Sequence, residues 1–294
     1  MDRNKSFQKY PHLLALLLLI TSLSLHARSS VWVIEKNGNR AYLGGTIHLL
    51  HQSEYPLPPE FEIAYQQSSK VVFETDITKL QSPEYQKIMA RALTYSDGHN
   101  LKQVLSLDTY QSLEEYFATR GILMDNIINY KVGMVISIML VVELQRLGLN
   151  GEGVDFYFNN KSIADNKSLG KLETVDQQIQ FLAGLGVGNE DALIQYNLTD
   201  VDNLPDLWPK IVEDWRDGNS SDIDEMQIKS MQEDFPDIYQ TILVDRNKAW
   251  LPQIEALLET KEIEFILVGA LHTSGEEGLL NLLKNRGYQI KQLQ

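Results

Sequence analysis

The sequence predicts an α/β (α+β) protein with a mixed central sheet formed by its N- and C-terminal segments. A large, mostly helical region lies between them, at about residues 100–260. Short apolar runs of strand character occur near both ends of the chain, and apolar residues recur at helical spacing between them. At 294 residues and 43% hydrophobic content, the chain can bury a substantial core, and we expect a single domain over residues 28–294.

Residues 1–27 have the three parts of a secretory signal peptide. Three basic residues in the first nine positions precede an apolar run from Leu13 to Ile20, and the segment ends at Ala27. The apolar stretch is shorter than the roughly 20 residues that span a bilayer, which argues against an uncleaved anchor. We therefore expect cleavage after Ala27 and an exported protein, periplasmic or extracellular, with no stable membrane insertion.

The exported part opens with two strand-like runs, Val31–Ile34 and Arg40–Leu43. Asn37-Gly38 lies between them and supplies the positive φ angles that a tight hairpin turn needs. Pro58-Pro59 then begins an amphipathic helix that reaches about Ser68. The apolar run that starts at Val71 follows it and predicts a buried strand, so the opening is a hairpin, a helix and a strand.

The middle of the chain shows mainly helical periodicity, including a buried helix near residues 127–147. Ser168 to Leu172 interrupts it as a short strand, and Thr174 to Gln177 then forms a capping box at the start of a helix. The region of Pro205 and Pro209 and the polar stretch from Asp217 to Asp224 predict loops. The chain ends with strand, helix and edge strand: Ile263–Val268, Leu279–Lys284 and Tyr288–Leu293.

Composition removes several classes of function. The chain has 26 Lys and Arg against 40 Asp and Glu, a formal net charge of −14 that repels phosphate backbones, so we expect no nucleic-acid partner. It has no Cys, which excludes disulfides, thiolate metal sites and cysteine nucleophiles. Histidines, carboxylates and hydroxyls remain for the chemistry of a site.

Two segments share one pattern, an apolar strand followed by Gly, two residues and His, which ends at His48 and at His272. Each His falls just past a strand end, the edge where α/β sheets bind ligands. Ser274 to Glu277 predicts a capping box, and a helix N-terminus there would keep His272 neutral. Glu74 follows a buried run at the end of a third strand, so it is either paired or functional.

Six motifs occur in a fixed order along the chain and together resemble the TraB/GumN family, which is similar to the Tiki metalloproteases. The resemblance covers about Val31 to the C-terminus, and its specificity comes from the ordered set. The motifs are Gly45–Leu50, Val71–Asp76, Gly153–Asp155, Gly170–Thr174 with Gln177, Arg246–Trp250 and Val268–His272.

The resemblance implies a metal-dependent hydrolase site built from His48, His272 and Glu74, with Arg246 nearby. In this hypothesis the two imidazoles and the carboxylate hold one divalent cation, zinc, manganese or cobalt, and leave a position for water. Arg246 would stabilise an oxyanion or hold a substrate carboxylate. The resemblance favours a peptide as the substrate. More broadly, we expect the partner to be a peptide or small-molecule substrate.

Two alternatives stay open. One is a metal-independent, esterase-like hydrolase in which His48 is the general base, Glu74 orients water, and Arg246 with His272 holds the oxyanion. The other is a non-catalytic periplasmic protein that binds a peptide or an envelope component. Glu173 has two interpretations as well, since it could act behind the site or support the following helix electrostatically. Any shared site requires the first and last strands to lie side by side.

Overall fold

The computed structural model describes residues 29–219 and 228–294. The predicted signal peptide, residues 1–27, and residues 220–224 of the predicted polar loop lie outside the described residues. The strands, in chain order, are β1 Val31–Lys36, β2 Asn39–Thr46, β3 Leu49–Leu50, β4 Lys70–Phe73, β5 Gly151–Glu152, β6 Ser168–Lys171, β7 Glu264–Gly269 and β8 Gln289–Gln292.

Six of these strands form one mixed sheet in the order β6-β4-β7-β2-β1-β8, which confirms the predicted fold class. β2 and β7 are parallel neighbours, with Thr46 opposite Gly269, so the opening and closing segments lie side by side as expected. β4 runs parallel to β7 and β6, whereas β1 pairs antiparallel with β2 and β8. β3 and β5 form a separate two-stranded ladder.

The predicted hairpin is present between β1 and β2. Asn37 and Gly38 both have positive φ angles, 54° and 80°, as a tight turn between right-twisted strands requires. β8 lies on the outer side of β1 as the predicted edge strand, and the short strand predicted at Ser168 forms the opposite edge as β6.

Helices account for most of the chain between β4 and β7, and a further helix lies before β4 and another after β7. In chain order they are α1 Pro59–Gln67, α2 Ile77–Leu80, α3 Pro83–Ala92, α4 Leu101–Val104, α5 Leu107–Ala118, α6 Val132–Arg146, α7 Val154–Ala164, α8 Val175–Gly184, α9 Glu190–Asp217, α10 Lys229–Asp234, α11 Pro236–Tyr239, α12 Asp245–Leu257 and α13 Leu279–Asn285. A π-helical turn, Gln240–Val244, joins α11 to α12. The predicted capping box begins α8, with Thr174 and Gln177 bonded reciprocally.

The central strands are buried on both faces, because successive side chains enter different cores. In β7, Phe265 and Leu267 pack with α1, α7 and the end of α9, whereas Ile266 and Val268 pack with α12 and α13. A separate core joins α5, α6 and α9. Among the described residues, no helix combines the length and apolar character needed to cross a bilayer.

The loop predicted around Pro205 and Pro209 is wrong, because both prolines lie inside the 28-residue helix α9. The missing N–H groups remove two helical hydrogen bonds, but packing near the C-terminal end of α9 holds the helix together. Trp215 is fully buried there, and its indole N–H donates to the carbonyl oxygen of Gly45 over 2.7 Å. Gly218, with φ of 59°, ends the helix.

The capping box predicted at Ser274 to Glu277 is also wrong. Gly275 has a φ of 79°, a left-handed conformation that a helix cannot continue, and α13 begins only after Gly278. His272 lies instead in a short 3₁₀ turn, Ala270–Thr273, directly after β7. A different cause must therefore keep this imidazole neutral.

Candidate functional site

The carboxyl ends of three neighbouring parallel strands bring the predicted site residues to one edge of the sheet. Glu74 follows the last residue of β4, His48 lies two residues beyond β2, and His272 lies in the turn after β7. The register aligns these ends, since Phe73 is opposite Leu267 and Thr46 is opposite Gly269. The sheet topology therefore places the two Gly-x-x-His segments side by side, as a site shared by both histidines requires.

Arg246, in the first turn of α12, is the centre of the cluster. Its Nη2 donates to Glu74 Oε2 over 2.6 Å and to Glu173 Oε1 over 2.7 Å, and its Nε donates to Glu173 Oε2 over 3.2 Å. The guanidinium carbon lies 4.6 Å from the centre of the Trp250 ring. Glu173 also accepts a hydrogen bond from the Trp250 indole. One largely buried cation thus joins the carboxylates of Glu74 and Glu173.

The contacts of Glu173 decide between its two interpretations. Its carboxylate binds Arg246 and Trp250 and is 8% exposed, whereas the following helix is capped by Thr174 and Gln177. Glu173 therefore lies behind the site and orients Arg246.

His272 has a defined tautomer. Asn247 Nδ2 donates to two backbone carbonyls, so its Oδ1 is the atom that accepts from His272 Nδ1 over 2.7 Å. Nε2 then carries the lone pair and accepts from Arg246 Nη1 over 3.0 Å. Glu74 Oε1 lies 4.0 Å from the same nitrogen and accepts a 2.7 Å bond from the Gly269 N–H. His272 is buried, packed against Trp250.

His48 is more open, with 68% of its side chain exposed, and Nδ1 donates to Asp155 Oδ2 over 3.2 Å. Gly153 permits this contact, because a Cβ at that position would collide with the backbone of His48. The carboxylate thus holds Nδ1–H and leaves Nε2 of His48 for other partners.

The cluster shifts the pKa values of its members in different directions. Burial lowers the pKa of His272 to about 4, which keeps the ring neutral. Burial opposes ionisation of Glu74, but Arg246 and the two histidines outweigh it and lower the pKa of Glu74 to about 2. Asp155 raises the pKa of His48 to about 9. Arg246 has a raised pKa because its two carboxylates outweigh its burial.

A cavity of about 320 Å³ opens onto these groups. His48, Glu74, Asp155 and Arg246 line it, and two threonines and a glutamine add to its polar surface. Phenylalanine, leucine and isoleucine side chains from β4, β7, α2, α7 and α8 form its apolar wall. A mostly apolar cleft with a few convergent charged groups is typical of a ligand site.

The predicted metal centre is not assembled in this arrangement. Within residues 29–219 and 228–294, no three His, Asp or Glu side chains are placed so that they could hold a metal ion. The guanidinium of Arg246 is the physical reason, since it engages the coordinating atoms of Glu74 and His272 itself. The anchored Nδ1 atoms suit metal ligands, but as placed the expected set of His48, Glu74 and His272 does not fit a cation.

The sequence singled out four members of this cluster, and the structure places Glu74, His272 and Arg246 in contact and His48 on the same cleft. It gave no role to Asp155 and Asn247, which fix the two imidazoles. Both stand in motifs of the ordered set, Gly153–Asp155 and Arg246–Trp250. That position was the available signal, but their partners are 107 and 25 residues away.

The chain is similar to curated metalloproteases over most of its length. It is 23% identical to "Metalloprotease TIKI1" of Xenopus tropicalis and to "Metalloprotease TIKI2" of Danio rerio, and 22% identical to "Metalloprotease TIKI1" of Homo sapiens. These alignments cover 85–90% of this chain and 58–61% of the relatives, so it spans about three fifths of their length. No solved structure matches it.

A family description covers nearly all of the described fold. The sequence matches that of the TraB/PrgY/gumN family over residues 30–292, from the start of the first strand to the end of the last. The match includes every side chain of the cluster and the whole six-stranded sheet. The chain belongs to the TraB/PrgY/gumN family.

Proposed function

We propose that this protein is a hydrolase that cleaves an amide or ester bond, with peptides as its substrate class. The cluster of Glu74, Arg246, Glu173 and His272 beneath a cleft that His48 also lines carries this proposal. Removing a guanidinium, two carboxylates and an imidazole from water at one sheet edge costs desolvation free energy. Such clusters of perturbed titratable groups are typical of functional sites. The peptide substrate comes from the similarity to proteins named metalloproteases.

His48 is the group that we propose activates water. Asp155 accepts a hydrogen bond from Nδ1–H and so presents Nε2 as the basic atom, the arrangement of a general base with an orienting carboxylate. The raised pKa of His48, about 9, means that the basic form becomes abundant only at alkaline pH. The rate should therefore rise with pH up to about 9.

Arg246 is the proposed donor to the developing oxyanion. A guanidinium has five N–H donors, and four of them have partners among the described residues. The remaining Nη1 hydrogen lies on a side chain that lines the cleft. Glu74 and Glu173 fix the guanidinium beforehand, so it needs no reorganisation during the reaction.

The relatives' names support a second version, in which a divalent cation activates the water. Arg246 holds two of the three expected ligands, so a cation does not fit this arrangement of side chains. The two versions differ in measurable ways, since only the second loses activity on removal of divalent ions.

The test is cleavage of a synthetic peptide mixture, with new termini identified by mass spectrometry. We expect cleavage by the wild type, loss of roughly 100-fold or more in Glu74→Gln, and no effect of chelator in the version based on His48. Loss of activity with chelator and recovery with Mn²⁺, Co²⁺ or Zn²⁺ would establish the metal version. Absence of cleavage across pH 6 to about 10, with and without these ions, would refute the proposed hydrolase.

A further inference from the structure

A second cavity adjoins the cleft. It measures about 640 Å³ and shares three lining residues with the cleft, Phe73, Thr75 and Ile77. The two spaces therefore meet at these side chains, at the end of β4. Together they extend well beyond the charged groups of the site.

The second cavity lies against β6, the terminal strand of the sheet. Leu169, Gly170 and Lys171 are consecutive residues of β6, and all three line it. Leu169 and Lys171 are alternate residues, so their side chains point to one face of the sheet, the face of Phe73, which also lines the cavity. Gly170 between them has no side chain, so the cavity reaches the backbone of this strand. Ser82 and Tyr85, at the start of α3, also line it.

This edge of β6 is available for pairing. β6 is the terminal strand of the six-stranded sheet and pairs with β4, and no other strand of the described chain pairs with it. The uncovered side of such a strand presents N–H and C=O groups that another extended segment can pair with. Leu169 is 40% exposed on this strand.

Two buried polar atoms on the wall of the cleft have no hydrogen-bond partner among the described residues. They are Oγ1 of Thr75, a residue that is 4% exposed, and Oδ1 of Asp155. Leaving a buried polar atom without a partner is unfavourable, so a polar ligand in the cleft would be favoured at both positions. Thr75 lies where the two cavities meet.

The cleft also has an apolar wall that faces the charged cluster. Phe181 of α8 lies 5.6 Å from the Arg246 guanidinium, and Leu80 and Phe156 line the same cavity. A volume of about 320 Å³ accommodates a bulky side chain, and apolar walls favour an aromatic or branched aliphatic one.

We propose that the substrate is an extended peptide that adds to the free edge of β6 as a seventh strand. It passes Thr75 and places a bulky apolar side chain in the cleft beside Glu74 and Arg246. Backbone pairing with β6 supplies affinity, and the apolar wall supplies selectivity. The inference takes its substrate class from the proposed function, but it concerns binding and is testable without turnover.

The experiment is affinity selection of a synthetic random peptide library on the wild-type protein. We expect the retained peptides to be rich in Phe, Tyr, Leu and Ile. Phe181→Glu in the cleft and Leu169→Glu on β6 should each weaken binding of a retained peptide by roughly tenfold or more. Leu123→Glu, at a side chain that is 71% exposed and lines neither cavity, is the matched control and should leave binding unchanged.

Methylation of the peptide backbone tests strand addition directly. Every second N–H of an added strand donates to β6, so N-methyl groups at alternate positions should abolish binding while those between are tolerated. Thr75→Val, which keeps the side-chain shape and removes the hydroxyl, should weaken binding of the unmethylated peptide. Uniform sensitivity to methylation, or none, would overturn the proposed strand.

The outcomes separate this inference from the proposed hydrolase. Peptides that bind with alternating sensitivity but are never cut would refute the hydrolase and support the binding mode. Peptides that are cut while Phe181→Glu and Leu169→Glu bind them normally would support the hydrolase and refute the binding mode. A library from which no peptide is retained would also refute the binding mode.

Discussion

Arg246 makes more of the site's polar contacts than any other side chain in the described cluster. Arg246→Ala would leave Glu74 and Glu173 buried beside each other without a cation, and we expect a loss of about 3–5 kcal/mol in the free energy of unfolding. Lys248→Ala is the matched control on the same helix, since its pair with Glu277 is exposed and should contribute about 1 kcal/mol or less. Urea unfolding measures both, and similar losses would show that Arg246 is not the centre of a buried network.

His272 should impose a pH dependence on stability. Its pKa is about 4 in the folded protein and near 6.5 when unfolded, so between these values the unfolded chain binds the proton more tightly. Stability is therefore fully present above about pH 6.5 and falls, on the order of 3 kcal/mol in total, as the pH drops to 4. Unfolding of chelator-treated protein at several pH values should show this slope in the wild type.

The control for His272 is a histidine outside the cluster. His272→Gln should flatten the dependence between pH 6.5 and 4, whereas His99→Gln, at a side chain that is 59% exposed, should retain it. An unchanged slope in His272→Gln would mean that the imidazole is not held neutral by the fold.

The sequence identified the residues that stand at strand ends and missed those that act through distant partners. His48, Glu74 and His272 follow apolar runs, a pattern visible within a few residues, and Arg246 came from the ordered motifs. Asp155 has no such local pattern, because its importance depends on a contact with His48 across 107 residues of chain. The interruption of the expected metal set by Arg246 was likewise invisible, since it depends on the three-dimensional position of α12.

The loop before α7 is the element that connects Asp155 to His48. Gly153→Ala should push this loop away from the His48 backbone and break the bond between the two side chains. We expect turnover to fall roughly tenfold or more and its pH limb to shift toward lower pH, as the carboxylate no longer raises the pKa of His48.

Gly184→Ala provides the control for this substitution. Its added methyl group meets no atom within 4 Å, so turnover should be unchanged. Equal turnover in the wild type and Gly153→Ala would show that the position of Asp155 does not matter for the reaction.

Predictions of the elements succeeded where the pattern and its cause are local. Asn37-Gly38 specifies its own turn, and Thr174 with Gln177 specifies its own helix start. Pro205 and Pro209 were misleading, because the packing of Trp215 against β2 sustains α9 despite its lost hydrogen bonds. The loop at Gly275 was not predicted either. The left-handed conformation of Gly275 ends the preceding turn, so α13 begins only at Leu279.

The molecule as a whole joins its two chain ends in one sheet, and this pairing creates the site. β2 and β7 are more than 200 residues apart in sequence, so an interior segment could not hold the histidines together by itself. The Gly-x-x-His repeat predicted this adjacency because it placed two similar strand ends in the chain. The position of β6 beside β4, on the other hand, depends on a crossover that no local pattern specifies.

Export of the molecule is a further prediction. Residues 1–27 carry the signal pattern, so the mature protein should begin at Arg28 and be recovered outside the cytoplasm. N-terminal sequencing of the exported protein measures this. Intact protein that begins at Met1 in the membrane fraction would show that the segment is retained as an anchor.

The most direct test of the proposed hydrolase is peptide cleavage in water enriched in oxygen-18. If the cleft activates water for attack on an acyl carbon, each new carboxyl terminus made by the wild type gains one oxygen-18 atom. In His48→Gln, the rate at which such labelled termini form should fall by roughly 100-fold or more. His51→Gln, at an exposed loop histidine, should match the wild type. Products without the label, or labelled products formed equally fast by His48→Gln, would contradict the account.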